Sequence, residues 1–316
     1  LLDAFPGVAP EEAFYRDLAR TVEGRPLGPG GPLSRQTACP GAHGLWQALG
    51  GAVPAYRGAE HFAGVQGALG DLPPDMRLRL GPVLITRLLD ADEESAARLV
   101  YDTVSRVPGE RSPDLILAEA RLVAAEGNPV PALQALTGLV ESDAPNGAEA
   151  LAALATIAGA SSIALPDRLV TDLESAALQS RGTPLEPQFR ALTIAAKATR
   201  GDTAGALDAL RDAGRAFPGD DRFPKLAARV MTTAEPTAEG GAAYARLMLE
   251  NLDLLPADAR ADGARETVAR HLLDLGLAPA ARTTIAPALA RGLPAARMLE
   301  AEALVRGGDS AGALAA

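Results

Sequence analysis

The side chains best suited to chemistry are few: His43, His61 and His271, Cys39, and the acidic run Asp90, Asp92, Glu93 and Glu94. A histidine could serve as a general base or a metal ligand. These three lie far apart in sequence, and His271 sits mid-helix beside Leu272 and Leu273, so each is expected as a packed or surface residue. Cys39 could be a reactive thiol, but a nucleophilic thiol needs a neighbouring base or cation. Pro40 and the loop around it supply none, so an inert thiol is expected. As the one cysteine, it also excludes an intramolecular disulfide and a thiolate metal cluster. The acidic run could suggest calcium, yet acids at a helix start after a turn are what the helix dipole favours. Trp46 is expected to anchor the N-terminal segment onto the helices that follow, with an exposed binding hot spot as the sharper alternative.

The familiar catalytic signatures are absent. The sequence has no glycine-rich phosphate loop ending in Lys-Ser/Thr, no Gly-x-Ser-x-Gly elbow, no His-Glu-x-x-His and no Cys-x-x-Cys. The expectation is a protein that is not an enzyme, with no cofactor and no bound metal.

The elements that would have to position any site are helical. Hydrophobic residues make up 47% of the 316 residues but aromatics only 3%, so core volume must come from Ala, Leu and Val. Ala is the best helix former, and strand-favouring residues are sparse. The formal net charge of −10 argues against a nucleic-acid partner, which would need a basic surface. No apolar run approaches the roughly 18 residues of a membrane span, so no direct membrane insertion is expected. Lys197 and Lys225 are the only lysines, and with the alanine excess this reads as the habit of a GC-rich bacterial genome.

Residues 1–60 read as a loop-rich cap or the tail of an upstream domain, with short helices at Pro10–Val22 and Gly44–Leu49. Between them lies the breaker-dense stretch Gly24–Pro32. The start at Leu1 without a methionine suggests a missing N-terminal segment.

From about residue 60 a rhythm sets in: an amphipathic helix, a Gly or Asp turn, a second helix keyed by Ala and Leu, then Pro. After the Gly201-Asp202 turn, Ala206, Leu210 and Ala213 fall on one helical face and Pro218 closes the unit. The same ruler fits Gly127 with Ala132, Leu136 and Leu139, and Gly276 with Ala281, Ile285 and Ala288. It also fits Ala91 with Ala96, Val100 and Thr103, and Gly308 with Ala313. The first helices align through Ala120, Ala269 and Ala301. Two wider gaps each span about two periods of roughly 34 residues. Degenerate units are expected there, one turning near Gly159 with a second helix at Asp167–Gln179. The other turns at Gly240-Gly241 with a second helix at Ala242–Leu254.

This Gly-Asp turn with its following Ala, Leu, Ala and Pro resembles the tetratricopeptide repeat over about residues 75–316. The match departs from the family in lacking large aromatics in the first helices and in placing Ile194 where a small residue is usual. The stretch from Cys39 through Trp46 to Leu89 is also similar to a group of uncharacterised alphaproteobacterial envelope proteins, which carry such repeats behind a β-rich module. The resemblance implies an all-α, right-handed solenoid of about six to seven antiparallel helix pairs over residues 61–316, with residues 1–60 as its cap. It also implies a periplasmic setting, with the cytoplasm as alternative. Projected onto this sequence, the family pattern turns Arg121, Ala195, Ala198, Glu266, Arg270, Glu302 and Arg306 toward the concave face.

A stacked array leaves a groove where extended peptides or partner helices lie. The expected function is therefore a protein-interaction scaffold, an accessory or assembly factor of a bacterial envelope or motility machine. Two rivals remain open. One is an enzyme whose catalytic segment lies in or before the N-terminal region. The other is a cell-wall-binding protein, for which one Trp and four Tyr are a poor supply of sugar platforms. Nothing in the pattern specifies an oligomeric state.

Overall fold

A computed structural model describes residues 10–22, 25, 31–32, 42–51, 59–236 and 240–315, and every regular element among them is helical. In chain order the α-helices are α1 Pro10–Val22, α2 Ala42–Leu49, α3 Ala59–Gly70, α4 Pro74–Asp90, α5 Glu94–Ser105 and α6 Pro113–Ala125. Then come α7 Pro129–Glu141, α8 Gly147–Ala160, α9 Asp167–Gln179, α10 Glu186–Thr199, α11 Thr203–Ala216 and α12 Arg222–Thr233. The last are α13 Gly241–Glu250, α14 Asp262–Asp274, α15 Ala278–Ala290, α16 Pro294–Arg306 and α17 Ser310–Ala315. Short 3-10 turns at Leu252–Leu254 and Ala259–Ala261 join α13 to α14. Cys39 lies outside the described residues, as do the side chains of His43 and His61 and most of the glycine- and proline-rich stretch at 24–32.

The chain divides into two compact units, Leu1–Ile157 and Ala158–Ala316, with the division inside α8. In the first, α2 packs on α3 and α4, α4 on α5 and α6, and α6 on α7. The first helices of successive pairs thus adjoin one another in a row. Leu45, Ala48 and Leu49 of α2 share one core with Leu80, Leu84 and Leu88 of α4 and Ala97 and Val104 of α5. The expected boundary at residue 60 therefore does not mark a break in packing. The apolar line of α2 needs a covering partner, and α3 and α4 provide it.

In the second unit, α10 packs on α9, α11 and α12, and α12 on α14. In turn α14 packs on α15 and α16, and α16 on α15 and α17. Here too the first helices α10, α12, α14 and α16 form a row. Their shared core includes Ala206, Leu207, Leu210, Phe223, Val230, Met248, Val268, Leu272 and Ile285.

The repeat ruler is a closing motif in three dimensions. Gly127, Gly201, Gly276 and Gly308 have φ of +85°, +82°, +77° and +86°. The next residue's N–H then reaches back five residues, as Asp202 to the Lys197 carbonyl at 3.0 Å and Leu277 to that of Leu272 at 2.8 Å. This is the Schellman closure, in which a left-handed residue ends a helix while satisfying its last carbonyls. Asp202 also caps α11, accepting from the Gly205 N–H at 3.0 Å. Ala206, Leu210 and Ala213, with their equivalents after Gly127 and Gly276, are all buried.

Two degenerate turns shift from their expected centres. The turn read at Ala91 has its left-handed residue at Asp92, with φ +59°. Of the positions read from Ala91, Ala96 and Val100 are buried and Thr103 is half-buried; counted from Asp92, the same spacing falls on Ala97, Tyr101 and Val104, which are all buried. The turn expected at Gly159 closes instead at Ser162, with φ +54°. Asp visits the left-handed region more readily than most non-glycine residues, so a search for glycine misplaces such turns. The helix at Asp167–Gln179 forms at its expected bounds, and the one after Gly240 is shorter than expected, ending at Glu250.

Small residues set how closely the pairs approach. A Cβ placed on Gly81 of α4 would meet the Val104 Cγ2 of α5 at 2.3 Å. Valine is stiff at χ1 and cannot swing away cheaply. Gly81→Ala is expected to cost about 1–3 kcal/mol in urea unfolding. Adding Val104→Ala should give a double variant more stable than the sum of the two single effects.

Candidate functional site

The row of first helices presents a narrow solvent-facing strip on each member. On α12 the buried face is Phe223, Leu226, Ala227, Val230 and Met231. Opposite it, Lys225, Arg229 and Thr232 are exposed at i, i+4 and i+7. On α14, buried almost all round, the strip is Gly263, Thr267, Arg270 and Asp274. On α16 the side away from Ala296, Leu299 and Ala303 carries Met298, 73% exposed, and Val305, 57% exposed, with Glu302 between them.

The residues expected on the binding face have divided fates. Ala195 is only 8% exposed and belongs to the core of the second unit, and Ala198 packs partly buried against that core. They open no space for a ligand side chain. The reason is that α10 is covered by α9, α11 and α12 together. Arg121 on α6 is engaged by Asp90 at the end of α4, at 2.7 Å. Arg306 on α16 is held by the Leu273 carbonyl at 2.6 Å, by Asp274 at 3.3 Å and by Glu302 at 2.6 Å. Both arginines stitch one first helix to the C-terminal end of the preceding one, and Glu302 is occupied by the same stitch. Glu266 is half-buried and Arg270 exposed, and among the described residues neither makes an ion pair. Trp46 packs partly buried against the core of the first unit.

The remaining histidine in view is also engaged. His271 Nδ1 lies 2.9 Å from the Tyr244 hydroxyl, with the rings edge-on at 5.5 Å. Burial pushes the Tyr244 phenol up to about 12, so it stays protonated at neutral pH. Tyr101 is likewise raised to about 12, by burial and by its hydrogen bond to Glu119. Among the described residues no group of three or more His, Cys, Asp or Glu is placed to hold a metal ion. No described helix is long and apolar enough to cross a membrane.

Sequence reading missed a set of four arginines that hold the segment after α13. Arg211 donates to the Glu250 carbonyl at 2.9 Å, to Asn251 at 2.8 Å and to Asp253 at 3.1 Å. Arg260 pairs with Asp258 at 2.8 Å and with Asp221 at 2.9 Å. Arg265, 6% exposed, donates to the carbonyls of Leu255 at 2.9 Å and Thr284 at 3.3 Å. Arg291 joins the Ala257 carbonyl to the Asp262 carboxylate. Burial pulls the Arg265 guanidinium below its ordinary value, Arg291 adds to the fall and Asp262 opposes it. The end of the short α13 and the segment after it carry carbonyls that receive no N–H from a continuing second helix, and the arginines donate to them instead and fix where α14 begins. Lys225 and Arg229 were also missed. Their i, i+4 spacing on a helix with a strongly apolar opposite face was the available signal.

No protein-family model, curated protein or solved structure matches the chain.

Two outcomes follow from these polar contacts. Arg265→Ala should lose about 2–4 kcal/mol in chemical unfolding, because it strands the carbonyls of Leu255 and Thr284 that this buried guanidinium satisfies. The second concerns Glu186, a buried carboxylate accepting from the Gly182 N–H at 2.7 Å and from Arg190 at 2.9 Å. Those bonds hold its pKa below the usual carboxylate range, the Gly182 bond contributing most. A depressed folded-state pKa gives stability that is present above the unfolded value and lost as pH falls through the folded one. Glu186→Gln should therefore destabilise at neutral pH, with the difference from wild type closing as pH falls through and below the ordinary carboxylate range.

Proposed function

We propose that this chain is a non-catalytic scaffold of tetratricopeptide type, a right-handed solenoid of about six to seven helix pairs that holds a protein or peptide partner along its first helices. The reading rests most on one observation. In each unit the first helices adjoin in a row, and in the second unit the solvent strips carry exposed Lys225 and Arg229 on α12 and Arg270 on α14, with no ion pair among the described residues, and exposed Met298 and Val305 on α16. Helices stacked in this way bury their apolar faces on each other and leave an extended surface for a partner. The placement of His271 beside Tyr244 and the absence of a catalytic motif in the sequence favour binding over chemistry. A bacterial envelope or motility machine is the proposed setting, with the periplasm as its compartment.

The test is capture of partners from the source cell's envelope fraction, comparing wild type with Gly263→Trp. Gly263 is exposed on the strip of α14, and nothing lies within 4 Å of the Cβ it lacks. A bulky ring there should block docking without disturbing the core. The expected result is a defined partner recovered by wild type and reduced about tenfold by the variant. Recovery of no partner above background, or equal recovery by both proteins, contradicts the proposal.

A further inference from the structure

Building on that docking surface, we propose that the segment seated on α12 and α14 is an acidic stretch of polypeptide, recognised through its side-chain carboxylates. The chain carries 40 acidic against 30 basic residues, so carboxylates to pair with are in surplus. Most cations of the second unit use them. Lys197 pairs with Glu174 at 2.7 Å, Arg190 with Glu186 at 2.8 Å, Arg246 with Glu250 at 2.8 Å and Arg282 with Glu300 at 3.6 Å. Lys225, Arg229 and Arg270 do not: all three are exposed, and none makes an ion pair among the described residues. They occupy the outward lines of two helices that pack directly on each other. The acids on those same lines are few. Asp274 is engaged by Arg306, and Glu266 is half-buried beside the α14 strip.

Three unpaired cations on adjoining helices form a positive field within a negative molecule. Such a field steers and selects a partner of opposite sign. The next first helix, α16, supplies exposed Met298 and Val305, so the fitting segment also carries large aliphatic side chains. A nucleic acid is the rival anion. It is disfavoured because the strips hold no aromatic ring on which a base could stack and because the surrounding charge is negative.

The experiment uses the whole chain and a fluorescein-labelled peptide of five Leu-Glu-Asp triplets with an amidated C-terminus, so that only side-chain carboxylates carry charge. Binding is read by fluorescence anisotropy. Wild type should bind this peptide, bind its Leu-Lys-Lys counterpart at least about tenfold more weakly, and lose affinity as salt rises from about 0.05 to 0.3 M. Lys225→Glu, Arg229→Glu and Arg270→Glu together should weaken binding by about tenfold or more, with the corresponding triple Gln variant intermediate. Arg181→Glu with Arg215→Glu, in the turn after α9 and on the second helix α11, should leave it unchanged. Circular dichroism checks that each variant is folded. No binding by wild type, equal affinity of a folded triple variant, or tighter binding of a thymidine oligonucleotide would overturn the inference. If Gly263→Trp loses the native partner while the folded charge-reversed variant keeps it, the docking surface stands and its acidic occupant falls.

Discussion

The close approach of helices through alanine and glycine is the constraint on which the rest of this structure depends. With aromatics at 3%, the core cannot be filled by a few large rings between distant helices. It is filled instead by bringing backbones together, so that small residues interlock with leucine and valine. Ala97, Ala206, Ala213, Ala281 and Ala288 are buried at the places where paired helices meet, and Gly81 lets Val104 press onto the α4 backbone. Tightly packed interiors punish even one added methyl group.

Close packing of this kind demands short, reproducible turns, and the left-handed closures meet that demand. One residue in the left-handed region ends the first helix, satisfies its carbonyls and redirects the chain, after which an Asp such as Asp202 can cap the second. Polar contacts then act at the margins of the core. Arg121 and Arg306 tie successive first helices end to end. Where the second helix α13 stops short, arginines take over what backbone and apolar contacts do elsewhere. The same economy explains why unpaired cations stand out: a chain that uses its arginines so widely as structural ties leaves three together on neighbouring strips.

Much of the fold was legible because its signals are local. The bounds of α1 and α9 and the turns at Gly127, Gly201, Gly276 and Gly308 follow from helical spacing and punctuation that each segment carries in itself. The signal was weaker where a non-glycine residue took the left-handed conformation, as Asp92 and Ser162 do, because backbone angle is then not written in residue type. The candidate surface was legible only in part. Arg270 and Glu266 keep free side chains on or beside the α14 strip, but Ala195 is enclosed and Arg121, Glu302 and Arg306 are engaged.

By itself the sequence determined that this chain is helical, that helices pair across Gly or Asp turns at Gly127, Gly201 and Gly276, and which residues of the helices after those turns are buried. Propensity, capping and periodicity act over a few residues and need no knowledge of what lies across the core. Only the tertiary structure decided that α2 belongs to the same core as α4. It alone showed that α10 is covered on several sides and that Arg265 lies buried under the segment after α13. It alone left Lys225, Arg229 and Arg270 without ion-pair partners among the described residues. Those outcomes depend on which helix packs beside which, and the charge a side chain meets across a packed row is set by residues tens of positions away in the chain.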